Sequence, residues 1–122
     1  MSTASHNTVL VVDDDADIRE AVQDILSFEG YAVAQAANGQ EALTLLSGPH
    51  ALRPCLILLD LMMPVMDGEE FVGRLQQEQR LAELPIILVT ASGRAQLPGV
   101  RAILKKPFDM DVLLSAVGEH RH

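Results

Sequence analysis

A chain of 122 residues with 48% apolar and 21% charged side chains has the composition of one globular domain with room for a substantial core, which excludes a chain disordered as a whole. Its 17 acidic and 9 basic side chains give a formal charge of −8, so binding to nucleic-acid phosphates is disfavoured and no nucleic-acid partner is expected. No apolar run approaches the roughly 18 residues of a bilayer span and no basic-then-apolar leader opens the chain, so a soluble cytoplasmic protein without membrane contact is expected.

Residues 1–7 are polar and are expected to be a disordered leader, with the folded domain covering 8–122. Val9-Leu10-Val11-Val12 is β-branched and apolar and ends abruptly in Asp13-Asp14-Asp15, the pattern of a buried strand that delivers carboxylates to its carboxyl end. From Asp17 the period changes. Ile18, Ala21, Val22, Ile25 and Leu26 recur at helical spacing, with Asp17 as N-cap or first-turn acid and Gly30 as the stop. Tyr31 to Ala36 reads as a less apolar strand of the kind found towards a sheet edge, and the Asn38-Gly39 turn leads to a short helix carrying Ala42, Leu43, Leu45 and Leu46 that ends at Gly48-Pro49.

Cys55 opens the next apolar run and, as the lone cysteine, is expected to be a small buried thiol. Leu56-Ile57-Leu58-Leu59 then runs into Asp60 and reads as a strand buried on both faces. Asp67 can cap a helix through Phe71, Val72 and Leu75 to about Arg80. Pro85 to Val89 is another buried strand, ending at Thr90. The segment Ala91–Gly99 leaves room for little more than a turn of helix, and Ala102-Ile103-Leu104 makes a final short strand ending at Lys105-Lys106-Pro107. Asp109 is expected to cap a last helix with Val112, Leu113, Ala116 and Val117 on one face. Five strands alternating with helices predict an α/β fold with a doubly wound parallel sheet.

In such a sheet all carboxyl strand ends point one way, towards the edge where ligands bind. That edge would carry Asp13, Asp14, Asp60, Thr90 and Lys106. Carboxylates gathered this closely repel one another unless they share a proton or a cation. Oxygen-only ligands suit a hard ion such as Mg²⁺, and Lys106 with Thr90 would add an ammonium and a hydroxyl for an oxyanion. A phosphoryl group on Asp60 would find the charge support that phosphoryl transfer requires.

Four stretches, Val11-Val12-Asp13-Asp14-Asp15, Leu58 through Asp60 to Met66-Asp67-Gly68, Val89-Thr90-Ala91 and Lys106-Pro107-Phe108, resemble the signatures of the receiver domain of two-component response regulators, in its chemotaxis-regulator-like form. The resemblance implies a flavodoxin-like five-stranded sheet of order 2-1-3-4-5. It implies that Asp60 is the phosphoacceptor for a sensor histidine kinase or phosphotransfer protein, and that Mg²⁺ is bound by Asp14 and Asp60 directly, by Asp13 mainly through water, and by the backbone carbonyl of Met62. Thr90 would bond the phosphoryl oxygen, Lys106 would pair with it, and the Lys106-Pro107 bond would be cis. Such a domain is a signalling switch that phosphorylates and dephosphorylates itself and acts on a downstream protein target, rather than a metabolic enzyme.

Two features depart from the family pattern. The interval from Thr90 to Lys106 is short, which predicts a shortened or missing fourth helix, and Ile103 stands where the family places an aromatic residue that follows the Thr. Partners are therefore expected to read a rebuilt segment between Ala91 and Gly99 or another face. A bulky Met62 two residues after Asp60 would shield an acyl phosphate from water, and Ser92, two after Thr90, would not oppose that. A phosphorylation-independent interaction module on the same fold is the alternative, and oligomeric state stays open. A haloacid dehalogenase-type phosphohydrolase is disfavoured by Met62, where that class carries a second Asp, and a P-loop or dinucleotide site by the lack of a Gly-rich loop after any strand. Asp15, Asp17 and Asp67 read as caps, Lys105 as solvent-facing, and His6, His50, His120 and His122 as loop or terminal residues without a metal or relay role.

Overall fold

The computed structural model describes residues 7–63, 65–78, 81–91 and 97–121. Five strands, β1 (Thr8–Val12), β2 (Ala32–Ala36), β3 (Leu56–Asp60), β4 (Ile86–Thr90) and β5 (Val100–Lys105), form one parallel sheet of order β2-β1-β3-β4-β5. Four helices are described: α1 (Ala16–Phe28), α2 (Gly39–Leu46), α3 (Gly68–Gln76) and α4 (Met110–His120). The expected strand order is therefore the observed one, and among the described residues no helix stands between β4 and β5.

Each central strand is buried along its whole length, with polar residues only at strand ends (Thr8, Asp60 and Thr90), because both faces are covered. Leu10, Val12, Ile57, Leu59, Ile86 and Leu88 point to the side where Ala42, Leu46, Phe71, Val72 and Leu75 of α2 and α3 pack. Val9, Val11, Leu56, Leu58, Ile87 and Val89 point to the other, against Val22 and Leu26 of α1 and Leu113 and Val117 of α4. Cys55 is buried at the start of this second layer and its N–H donates to the Thr8 carbonyl at 2.8 Å. A register shift between Ile86 and Ile87 interrupts the β4–β5 pairing. One extra residue flips the side-chain alternation, so Val100 packs on the α2–α3 side while Ala102 packs on the α1–α4 side. β5 is accordingly longer than the expected Ala102–Leu104.

The helix starts follow the sequence in part. Asn38 accepts from Glu41 N–H at 2.9 Å, and Asp67 accepts from Glu70 N–H at 2.9 Å, each filling a donor that a helix start leaves open. For α1 the cap is Asp15, whose Oδ1 accepts from Asp17 N–H at 2.9 Å, and Asp17 is the first-turn acid. Asp109 occupies the N-cap position of α4 without a side-chain hydrogen bond. α3 ends at Gln76, short of Arg80, since the chain turns at Glu78 (Ala82 N–H to Glu78 O, 2.9 Å) and buries Leu81 in the core. Gln79, Arg80, Pro64, Ser92 and most of the Ala91–Gly99 segment lie outside the described residues, as do the leader apart from Asn7 and two histidines, His6 and His122. Lys105 is exposed, as alternation requires.

Two substitutions test this packing. Phe71 is fully buried, so Phe71→Ala is expected to lower the unfolding free energy by about 3–5 kcal/mol in urea denaturation, and a loss below about 1 kcal/mol would mean that α3 is not seated as described. Val65, a β-branched residue, has φ 69°, a conformation that glycine adopts without steric cost. Val65→Gly is expected to stabilise the protein by about 1 kcal/mol, and a destabilisation would contradict that backbone.

Candidate functional site

β1 and β3 are neighbours, with Val12 paired to Leu59, so Asp13 and Asp14 leave one strand beside the point where Asp60 ends the other. One carboxylate oxygen from each of these three residues lies within 4.8 Å of the other two. Asp13 and Asp60 are buried and Asp14 is exposed. The residue that follows β5 supplies the counter-charge: Lys106 Nζ is 3.1 Å from Asp13 Oδ2 and 3.6 Å from Asp60 Oδ2. Its position is set by the backbone, because Lys106 N–H donates to the Thr90 carbonyl at 3.0 Å. The Lys106-Pro107 peptide is cis. Thr90 is buried at the end of β4, the strand next to that of Asp60.

Asp13 has its polar groups engaged within the protein. Its N–H donates to the Ala36 carbonyl at 3.1 Å, Oδ1 accepts from Asp15 N–H at 2.9 Å, Oδ2 faces Lys106, and its carbonyl accepts from Arg19 Nη1 at 2.6 Å. Asp60 Oδ1 accepts from Met62 N–H at 3.4 Å, which draws the Met62 peptide to the pocket. The Met62 side chain itself is 74% exposed, whereas Met63 packs against the core.

The loop after Asp60 is pinned at two glycines. Gly68 N–H donates to the Leu61 carbonyl at 2.9 Å, and a Cβ there would sit 2.9 Å from Leu61 Cα and 3.1 Å from the Asp60 carbonyl oxygen, both backbone atoms. Gly39 N–H donates to the Met66 carbonyl at 3.2 Å, and a Cβ there would meet Met66 Cγ at 2.9 Å. Both positions read in sequence as turn glycines; their role here is close approach, to backbone at Gly68 and to the Met66 and Phe71 side chains at Gly39. Arg19 was not singled out by the sequence either, because one cation on an amphipathic helix ordinarily reads as part of its solvated face.

The electrostatics of the pocket are one-sided. Burial, then the neighbouring Asp13 carboxylate, raise the Asp60 pKa above the ordinary carboxylate value, with Asp14 adding to the rise and Lys106 and the Met62 N–H opposing it. Burial works against the Lys106 charge, but the hydrogen bonds and charges of Asp13 and Asp60 outweigh it and the pKa is raised. A pocket with surplus negative charge and only oxygen donors fits a hard divalent cation such as Mg²⁺, which takes one or two carboxylates and retains waters. The buried Cys55 thiol, raised by burial, lies at the far end of β3. Asp15 and Asp67 serve as helix caps, and His50 and His120, at a loop and a helix end, take no part in the cluster. No described helix is long and apolar enough to cross a membrane. Ile103 pairs with Leu88 and is 37% exposed on β5.

Residues 9–118 match the family described as the response regulator receiver domain. Among curated proteins, the chain is 36% identical over 115 residues to the DNA-binding dual master transcriptional regulator RpaA of Synechocystis sp., covering 89% of this chain and 46% of that protein. The chain spans about half the length of the curated relatives it matches first. Among solved structures, the response regulator protein TrrA of Thermotoga maritima, in complex with Mg(2+)-BeF, is 34% identical with a TM-score of 0.77, over 93% of this chain and 97% of that one. A response regulator of Chloroflexus aurantiacus is 31% identical with a TM-score of 0.82, over 93% and 95% of the two chains. Sequence, sheet order and solved relatives agree that this chain belongs to the receiver-domain family of response regulators in two-component signalling.

Proposed function

We propose that the chain is a phospho-accepting switch in which Asp60 takes a phosphoryl group from a sensor histidine kinase or phosphotransfer protein. The observation that carries this reading is the convergence of Asp13, Asp14 and Asp60 with Lys106 within a few ångströms at the carboxyl edge of the sheet. An Asp60 carboxylate oxygen attacks phosphorus, the nitrogen–phosphorus bond of the donor phosphohistidine breaks, and its electron pair and a proton remain with the departing imidazole. Lys106, already beside Asp60, meets the charge on the phosphoryl oxygens, and the Thr90 hydroxyl donates to one of them. Asp14 and Asp60, with Asp13 behind them and the Met62 carbonyl beside them, would hold Mg²⁺, which neutralises oxyanion charge when bound. Self-dephosphorylation is a separate displacement in which water attacks phosphorus, the bond to Asp60 breaks and the carboxylate is regenerated; Met62, two residues after Asp60 and 74% exposed, is the side chain expected to slow that water.

The phosphorylated form signals to a protein target in the cytoplasm. Direct nucleic-acid contact by this domain is disfavoured by its net charge of −8, and the DNA-binding description of RpaA belongs to a protein of which the match covers 46%. A partner that reads the fold regardless of phosphate is the competing reading, favoured by the exposed Ile103 at the position of the family's coupling aromatic residue.

Beryllofluoride titration in Mg²⁺, followed by amide shifts, separates the two. Saturable binding is expected in the wild type and none in Asp60→Asn, while Lys106→Ala should slow acetyl phosphate turnover by about 10²-fold. Absence of beryllofluoride binding by the wild type would favour the phosphate-independent module. The pKa of Asp60 gives a second test. Because its folded-state pKa is raised, folding favours the protonated carboxyl; that stabilisation is complete below the unfolded carboxylate range and is lost as pH rises through the folded value. At pH 7 without Mg²⁺, Asp60→Asn should therefore melt higher than the wild type, with the gap closing as pH falls through the carboxylate range. A lower melting temperature for the variant at pH 7 would contradict the charge balance described.

A further inference from the structure

Asp14 is the exposed member of the acidic set, so something other than burial must fix its direction. The peptide bond joining Asp13 to Asp14 is planar, and whatever holds the Asp13 carbonyl also orients the Asp14 N–H and Cα. That carbonyl accepts from Arg19 Nη1 at 2.6 Å. Arg19 is itself anchored sideways, its Nε donating to Gln35 Oε1 at 3.0 Å, and Gln35 Nε2 donates in turn to Gln23 Oε1. The chain of contacts runs from α1 through the edge strand β2 and back to α1, and all of it is part-buried.

We propose that Arg19, backed by Gln35, is a positioning residue that aims the Asp14 carboxylate into the cation site. This rests on the metal-binding reading above, and the two are separable by experiment. The sign of the effect distinguishes aiming from simple electrostatics. A guanidinium near a cation site repels the cation, so its removal by charge alone would tighten Mg²⁺ binding. A brace that is removed instead frees the Asp13-Asp14 peptide and weakens it.

Arg19→Gln, Gln35→Leu and the wild type are to be titrated with Mg²⁺ alone by amide chemical shifts, and backbone order at Asp14 is to be read from nitrogen relaxation without metal. Expected are a Mg²⁺ dissociation constant raised about fivefold to tenfold in Arg19→Gln, a smaller rise in Gln35→Leu with the charge intact, partial recovery in Gln35→Glu, and a fall in Asp14 order in both weakened variants while strand amides keep their dispersion. Unchanged or tighter Mg²⁺ binding in Arg19→Gln, or unchanged Asp14 order, overturns the inference. A wild type that shows no saturable Mg²⁺ response overturns the metal reading, and the aiming role falls with it even if Asp14 loses order in the variants.

Discussion

Three carboxylates held within 4.8 Å of one another at the end of a hydrophobic sheet set the terms for the rest of this molecule. Two unit charges about 4 Å apart interact by about 4 kcal/mol at an effective dielectric of about 20, which is comparable with the roughly 5–15 kcal/mol of a whole domain's stability. The sheet tolerates the arrangement because its apolar layers on both faces hold β1 and β3 in register and because Lys106 is delivered from a different strand to within 3.1 Å of Asp13 and 3.6 Å of Asp60. One ammonium does not balance three acids, and the Asp60 pKa is raised first by burial and then by the neighbouring Asp13 and Asp14 charges. The repulsion is a cost to folding that a bound cation would relieve.

The loop after Asp60 shows how such a site is kept in shape without burying it. Leu61 and Met66 are tied by their carbonyls to Gly68 and Gly39, at distances where a Cβ would collide with its neighbours. Between these ties Met62 and Val65 remain exposed, so the loop presents apolar side chains to solvent around a fixed backbone. On the opposite flank, Asp13 is secured from four directions. The pocket is therefore fixed by backbone hydrogen bonds on the loop side and by a mixture of backbone and side-chain contacts around Asp13.

Most of the scaffold was legible in the sequence because its signals are local. Leu56-Ile57-Leu58-Leu59 before Asp60 and Val9 to Val12 before Asp13 announce doubly covered strands, and Asn38 and Asp67 announce helix starts. Which strands lie side by side is not local, and the order followed only from resemblance. Side-chain contacts across elements were less legible still: nothing in Arg19 or Gln35 as residue types indicates that they meet behind Asp13. The end of α3 is not marked in the sequence because no Gly or Pro breaks the polar run from Gln76 to Arg80, while burial of Leu81 turns the chain after Gln77. The length of β5 was hidden by the register shift at Ile86, which breaks the alternation that periodicity relies on.

The central claim is that Asp60 carries the phosphoryl group, and its most direct test is chemical. Protein treated with acetyl phosphate and Mg²⁺ can be reduced with borohydride, which converts an aspartyl phosphate into homoserine, and then sequenced by tandem mass spectrometry. The account predicts homoserine at position 60 and at no other aspartate, with Asp13 and Asp14 intact. Homoserine at another acidic position, or none in a protein shown to be folded and to bind Mg²⁺, would contradict it.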